Sequence, residues 1–296
     1  MSGISSNQHS TPMSNDLYQQ IQQFYDASSG LWEKVWGEHM HHGYYGADGQ
    51  KKLEKRQAQI DLIEELLKWS AYNSPATPKI IDIGCGIGGS SLYLAEKLQG
   101  EVVGITLSPV QANRAQERAA AMGLSDQATF KVANALDIPY PDNTFDLVWT
   151  LESGEHMPDK NQFLQECYRV LKPGGQMILA TWCHRSTTGQ AGALTASETK
   201  HLQKIYDVYC LPYVISLPDY EEIVTKCGFQ GMRSADWSVA VAPFWNVVID
   251  SSITPQAILG LFMAGTKTIQ AALSLKLMSQ GYERGLIKFG LITATK

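Results

Sequence analysis

The sequence predicts an α/β fold, a mostly parallel seven-stranded sheet with helices on both faces and an inserted helical cap. Three observations carry this expectation. Apolar runs of strand length alternate with segments of helical period between residues 79 and 181, and a glycine-rich turn follows the first of those runs. After Thr181 the alternation fails, and helical segments and loops intervene before two further strand-like runs.

The elements follow in order. Residues 1–15 are polar, contain a proline and lack an apolar period, so they read as a disordered lead-in, with order beginning near Asp16. Leu62, Ile63, Leu66 and Leu67 recur at helical spacing in a segment that ends before Ser74-Pro75. Strand 79–83 feeds the glycines. Strand 101–105, a helix over 109–122 stopped by Gly123, strands 128–133 and 145–150, a helix over 161–171 and strand 176–181 come next. Lys172-Pro173-Gly174-Gly175 reads as a helix stop and tight turn. Strands at 232–237 and 289–295 complete the sheet. The whole reads as one domain over 16–296, with an N-terminal helical lid (16–74), a Rossmann-like core (75–183), and a cap with the final strands (184–296).

Composition narrows the classes. Of 296 residues 44% are hydrophobic, enough for a large globular core. The net charge of −5 and the absence of a basic run argue against a nucleic-acid partner. Five cysteines, odd in number and without a C-x-x-C pair, do not describe a disulfide framework, and a reducing compartment is the simpler expectation. No apolar run reaches the roughly 20 residues that span a bilayer, and the start lacks the features of a secretory signal, so the chain is expected to be soluble or to lie on a membrane surface.

Asp82-Ile83-Gly84-Cys85-Gly86-Ile87-Gly88-Gly89 lies between the first strand and a helix, where open parallel sheets hold ligands. The glycines alone would equally suit a dinucleotide. Asp82 discriminates: its carboxylate would repel a pyrophosphate, whereas S-adenosylmethionine carries an ammonium and a sulfonium and no phosphate. The alternative is that Asp82 only caps the turn. At the end of the next strand, Thr106 and Leu107 stand where many such sites have an acid for the ribose, and Gln111 offers a donor and an acceptor in its place. Asn134, Ala135 and Leu136 end the third strand, where an amide meets the adenine edge, or else Asn134 is a turn residue.

With D-I-G-C-G-I-G, T-L-S-P-V-Q and L-K-P-G-G at these spacings, the chain resembles class I S-adenosylmethionine methyltransferases. Residues 24–45, Leu151-Glu152-Ser153-Gly154-Glu155-His156-Met157, Ala180-Thr181-Trp182-Cys183-His184-Arg185, 206–212 and Ala235-Asp236-Trp237-Ser238 resemble gamma-tocopherol methyltransferases, a likeness running from Leu17 to Lys296. The resemblance implies S-adenosylmethionine as cofactor, S-adenosylhomocysteine as product, and methylation of a chromanol ring carbon beside a phenolic hydroxyl (gamma- to alpha-, delta- to beta-tocopherol). Relatives of the same look include plant indole-alkaloid N-methyltransferases, so an amine acceptor stays as the second reading; a non-catalytic cofactor-binding protein is the third.

By the same resemblance Leu151 and Glu152 face the reacting methyl, and Tyr25, His42 and Tyr44 close over the methionine end of the cofactor. His156 is expected to be the general base that makes the phenolate, with Glu155 orienting it or neighbouring the ligand, since imidazole titrates near neutrality; the alternative is that both cap the following loop. Glu38-His39-Met40-His41-His42 invites a metal reading, but the spacing is not H-E-x-x-H and methyl transfer needs no Lewis acid, so no metal is expected. Trp182, Trp237, Phe244 and Trp245 are expected to face a small amphipathic phenol. Ile258, Leu261, Phe262, Ile269 and Leu273, with Met263 beside them, form a near-helical stripe that is either core or a channel or membrane-facing surface for an apolar tail. The expected setting is a cyanobacterial-like cytoplasm or membrane surface, or a plastid for a trimmed plant form.

Overall fold

Strands β1 (Lys79–Ile83), β2 (Glu101–Thr106), β3 (Ala128–Val132), β4 (Phe145–Leu151), β5 (Leu171–His184), β6 (Gln230–Asp236) and β7 (Ile287–Thr295) form one sheet in the order β3-β2-β1-β4-β5-β7-β6. The first five pair in parallel, and β7 runs antiparallel to both β5 and β6. The computed structural model describes residues 36–252 and 266–296 together with 19–23, 25, 26, 29 and 33; of 251, 252 and 266–274 it describes the backbone alone. The expected stripe therefore lies outside the described side chains.

Period-two backbone covered on both faces must bury alternate side chains in two layers. Ile80, Leu147, Trp149 and Ile178 enter one core layer, and Ile81, Val148, Met177 and Leu179 enter the other. Helix α1 (Lys55–Ser70) buries Ala58, Leu62, Ile63 and Leu66; it starts on Glu54, whose carboxylate accepts from the Arg56 and Gln57 amides, and ends at Ala71 in the left-handed region. Helices α2 (Gly89–Leu98), α3 (Pro109–Ala121) and α4 (Lys160–Val170) connect the parallel strands. Ser108 and Asp159 cap the last two by accepting from the backbone N–H of Gln111 and Gln162.

The cap comprises α5 (Ala196–Tyr209) and α6 (Leu217–Lys226), each opened by a reciprocal capping box, then α7 (Ser238–Val241), α8 (Pro243–Ser252) and α9 (Thr266–Glu283). The seven strands and their mostly parallel order stand as the sequence predicts. Boundaries move by one to three residues, and most at β5. Lys172-Pro173-Gly174-Gly175 is drawn into β5 rather than standing as a separate turn. Leu171 already pairs with Phe145, Gly174 N–H donates to the Lys296 carbonyl at 2.8 Å, and Lys296 N–H donates to the Gly175 carbonyl at 2.9 Å. Strand-like partners on both sides override the local turn preference.

The sheet order turns at β1. The chain lays down β2 and β3 on one side of it and returns to place β4 on the other. A crevice at the carboxyl ends of β1 and β4 is the geometric result.

Candidate active site

The turn after β1 is built around two close approaches. Gly84 has φ of +80°, and a Cβ there would stand 2.2 Å from the Cβ of Ser153. Ser153 donates its hydroxyl hydrogen to the Ile83 carbonyl at 2.7 Å and lies 2.7 Å from the Thr150 hydroxyl, so β1 and β4 are pinned together at their ends. At Gly89 a Cβ would lie 2.3 Å from the Glu38 carbonyl, because the segment before α1 crosses the start of α2. Gly86 is different: a Cβ there would meet nothing closer than the Met40 sulfur at 3.9 Å, leaving room above the turn.

That room belongs to an open cleft, about 1200 Å³ when the space continuous with solvent is counted. Asp82, Gly84, Cys85 and Gly86 form its floor, and Thr106, Leu107, Ser108 and Gln111 one flank. Asn134 and Ala135 lie beyond, with Leu151, Glu152, Glu155, His156 and Met157 opposite. Ile21, Tyr25, Trp36, His39, Met40 and His41 come over it from the N-terminal segment, and Trp182 and Tyr209 close the far side.

Asp82 is buried and accepts from the Ser91 hydroxyl at 2.5 Å; burial pushes its carboxyl up to about 7 despite that hydrogen bond. Thr106 donates to the Gln111 side-chain oxygen at 2.8 Å, so the Gln111 amide oxygen is engaged within the protein. The Asn134 oxygen accepts from the Leu136 amide at 2.9 Å, a local Asx arrangement that coexists with its place on the cleft wall.

Two carboxyl groups at the end of β4 have opposite surroundings. Glu152, with φ of +55°, accepts from the His42 amide at 2.7 Å and from the Trp182 indole at 2.9 Å, and its other contact is His42 Nδ1 at 2.7 Å. Burial alone would raise its pKa, but the His42 ring and amide outweigh it and hold the carboxylate below its ordinary value. Glu155 accepts from the Thr181 hydroxyl at 2.7 Å; burial and the neighbouring Glu152 charge push it up to about 8. One group is ionised at neutral pH and the other is largely protonated.

His156 follows in a single 3₁₀ turn, Gly154–His156. Its Nε2 lies 2.7 Å from the Tyr25 hydroxyl, and among the described residues its buried Nδ1 has no hydrogen-bond partner. Burial, followed by the Lys160 charge, lowers the imidazole to about 3, so it is neutral at physiological pH. Burial and the surrounding acidic groups raise Tyr25 well above the ordinary phenol value.

The cleft thus gathers Tyr25, Asp82, Gly84, Cys85, Gly86, Thr106, Leu107, Gln111, Asn134, Ala135, Leu151, Glu152, Glu155, His156 and Trp182. The other named residues stand off its wall. His42 is fully buried among Trp182, Phe244, Trp245, Tyr282 and Phe289 and supports Glu152 from behind. Tyr44 packs on Trp237, and Phe244 and Trp245 pack on Trp36. Leu136 packs against the core layer of Ile81, Val148 and Leu179. Residues that sequence reasoning passed over on the wall are His39, Met40, His41, Ser108 and Tyr209, and behind it Lys160. The signal for His39 and His41 was the E-H-M-H-H run itself; among the described residues no group of His, Cys, Asp and Glu is arranged to hold a metal.

A methyltransferase domain family matches residues 81–179, the β1 to β5 stretch that carries the turn. The tocopherol O-methyltransferase, chloroplastic, of Arabidopsis thaliana is 47% identical over 283 residues, covering 93% of this chain and 81% of its own. The norajmaline N-methyltransferase of Rauvolfia serpentina is 35% identical, covering 94% and 98%. Among solved structures, the geranyl diphosphate C-methyltransferase of Streptomyces coelicolor A3(2) superposes with a TM-score of 0.74 at 20% identity, covering 97% and 98%, a likeness of fold.

Proposed function

The chain belongs to the tocopherol methyltransferase family of class I S-adenosylmethionine-dependent methyltransferases, and we propose that it methylates a chromanol ring carbon beside a phenolic hydroxyl, carrying gamma- to alpha- and delta- to beta-tocopherol. The observation that carries the reading is the neutral imidazole of His156 on the cleft wall opposite the glycine turn, whose buried Nδ1 has no hydrogen-bond partner among the described residues.

The residues present suit the cofactor. Open space over Gly86 admits a ligand against backbone, and Asp82 gives the floor an acidic group suited to an ammonium. In this reading Tyr25, Asp82, Gly84, Cys85, Gly86, Leu151 and Glu152 hold the methionine end, Thr106, Leu107 and Gln111 the ribose, and Asn134 and Ala135 the adenine. When bound, S-adenosylmethionine supplies an electrophilic methyl group and departs as S-adenosylhomocysteine.

The chain's own residues then manage a proton. In this reading His156 Nε2, 2.7 Å from the Tyr25 oxygen, carries the hydrogen and donates it there, the tautomer that leaves the Nδ1 lone pair for the substrate hydroxyl. His156 takes the phenolic proton, and the phenolate oxygen stays hydrogen-bonded to the new imidazolium. With oxygen held in that way, the adjacent ring carbon is the free nucleophile; once it has taken the methyl it gives up its ring hydrogen as a proton to solvent, and the imidazolium returns its proton to the oxygen. A phenolate next to an imidazolium is a neutral pair, so the burial that disfavours a lone imidazolium disfavours the pair far less. Trp182 and Tyr209 offer the aromatic wall for the ring.

We assign the lid, core and cap functions to 16–74, 75–183 and 184–296, working as one unit. An acceptor with a long apolar tail would be taken from a membrane surface, in a plastid or a cyanobacterium-like cell. Among the described residues no helix is long and apolar enough to cross a membrane, so contact would be peripheral. Liposome flotation at low salt tests it; protein that stays at the bottom of the gradient removes that part.

Incubation with S-adenosylmethionine and gamma-tocopherol, delta-tocopherol or an amine panel, read by mass spectrometry and NMR, tests the reaction. A ring-methylated product keeps its free hydroxyl. A phenol ether or a methylated amine as the main product would replace this reading.

A further inference from the structure

The turn that presents Glu155 and His156 has little backbone support of its own. His156 N–H donates to the Ser153 carbonyl at 3.0 Å and Met157 N–H to the Gly154 carbonyl at 3.2 Å. The other support comes from one side chain. Lys160, the first residue of α4, is 1% exposed, and its Nζ donates to the carbonyls of Gly154 at 2.9 Å, Glu155 at 3.1 Å and Met157 at 2.6 Å. A fourth carbonyl, that of Tyr213 in the cap segment between α5 and α6, lies at 3.1 Å, and the Tyr213 ring covers the ammonium at 4.7 Å. An ammonium has three N–H donors, so four carbonyls share three hydrogens and the group is fully engaged. A buried lysine is costly and is rarely used for cohesion alone. Here it closes the turn on itself and ties it to the cap.

We infer that Lys160 is a positioning residue for the methyl transfer, holding the 154–157 turn so that His156 meets both Tyr25 and the acceptor. The inference rests on the reading of His156 as base. Lys160 does not itself line the cleft and acts through the carbonyls. Its charge has a second consequence for the imidazole it positions. Tyr25 from the N-terminal segment lies against His156, and Glu155, Cys210, Glu152 and Tyr209 in turn act on Tyr25; the charge that acts on His156 itself is that of Lys160 from α4. Burial lowers the Lys160 ammonium to about 7, so it is charged throughout the acidic range and opposes protonation of His156 there. Removing that cation raises the pKa of His156, so the acidic limb of the kcat profile moves to higher pH.

The test compares His156→Ala, Lys160→Met and Lys160→Arg, each checked for adenosylhomocysteine binding by calorimetry. For Lys160→Met the expected result is kcat down roughly 10- to 100-fold, the fall that a misplacement on the ångström scale produces. KM for S-adenosylmethionine should stay within about threefold and the acidic limb should shift upward. Lys160→Arg keeps the charge and donors and restores part of kcat and the limb position. Unchanged kcat and limb in Lys160→Met overturn the inference, and so does loss of adenosylhomocysteine binding in both lysine variants, which marks a general structural role. Full turnover in His156→Ala instead overturns the base assignment, whichever way the lysine variants behave.

Discussion

At the scale of single residues, the chemistry rests on side chains whose partners lie far off in sequence. Tyr25 and His156 are 131 positions apart and 2.7 Å apart in space. Tyr25→Phe removes the oxygen that selects the His156 tautomer and should cut kcat by about 10- to 100-fold, within the range general for acid–base assistance, with adenosylhomocysteine affinity unchanged; steady-state kinetics beside calorimetry checks this. Asp82 gives a pH signature. Its pKa near 7 in the free protein falls when a cation sits on it, so cofactor binding releases protons and tightens as pH rises through 7. Calorimetry in buffers of different ionisation enthalpy should detect that release in the native protein and not in Asp82→Asn. The Asp82 reading was available from the sequence because acid and glycines share one local turn. That His41 reaches the cleft and His42 does not was hidden, since Met40 takes φ of +53° and breaks any period from which side-chain direction is read.

At the scale of elements, the β1 turn and the β4 end act as one joint. Gly84→Ala would add a Cβ at 2.2 Å from Ser153 and place alanine at φ of +80°. Left-handed strain and overpacking together should cost roughly 2–5 kcal/mol, and the shift of Ser153 would also loosen the floor for the cofactor. Thermal melts should show the loss, and adding Ser153→Gly to Gly84→Ala should recover part of it by removing the clash; no recovery would mean that the strain resides in the backbone angle alone. The alternation of strands and helices up to β5 was readable because each element there carries its own period and stop signal. Trp237, Phe244 and Trp245 were expected to meet substrate, yet Phe244 and Trp245 fill the layer behind His42 and Trp237 packs on Tyr44 and Trp69, since large aromatic side chains near a cavity serve its supporting wall as readily as its surface. Lys160 was unreadable for a related reason: nothing in Asp159-Lys160-Asn161 announces that four carbonyls will surround its amine.

Over the whole molecule, buried ionisable groups compete as pH falls. His39, His41 and His156 sit near 2, 4 and 3 in the fold, lowered mainly by burial. Their contribution is complete above the unfolded value of about 6.5 and is lost as pH drops through the folded values, by up to ~1.4 kcal/mol per pH unit each. Asp82 and Glu155, raised to about 7 and about 8, act in the opposite sense. Their contribution is present below the unfolded values near 4 and is lost as pH climbs through 7 to 8. Three groups against two leave a shallow slope between about pH 6.5 and 5, and below about 4.5 the carboxyl compensation ends. Melting temperatures should therefore change little across the first interval and fall steeply below the second, and the steep part should soften in a His39→Gln, His41→Gln double variant.

The position of β7 between β5 and β6 has a temporal meaning. Although β6 is synthesised earlier, its hydrogen-bonding neighbour in the sheet arrives later, so it must wait unpaired while α7, α8 and α9 are made. The cofactor floor, drawn from β1, β2 and β4, depends on no such delay. During synthesis or refolding the nucleoside cradle should mature ahead of the compartment for the acceptor, and a cofactor present early would stabilise an intermediate that cannot yet hold the other reactant.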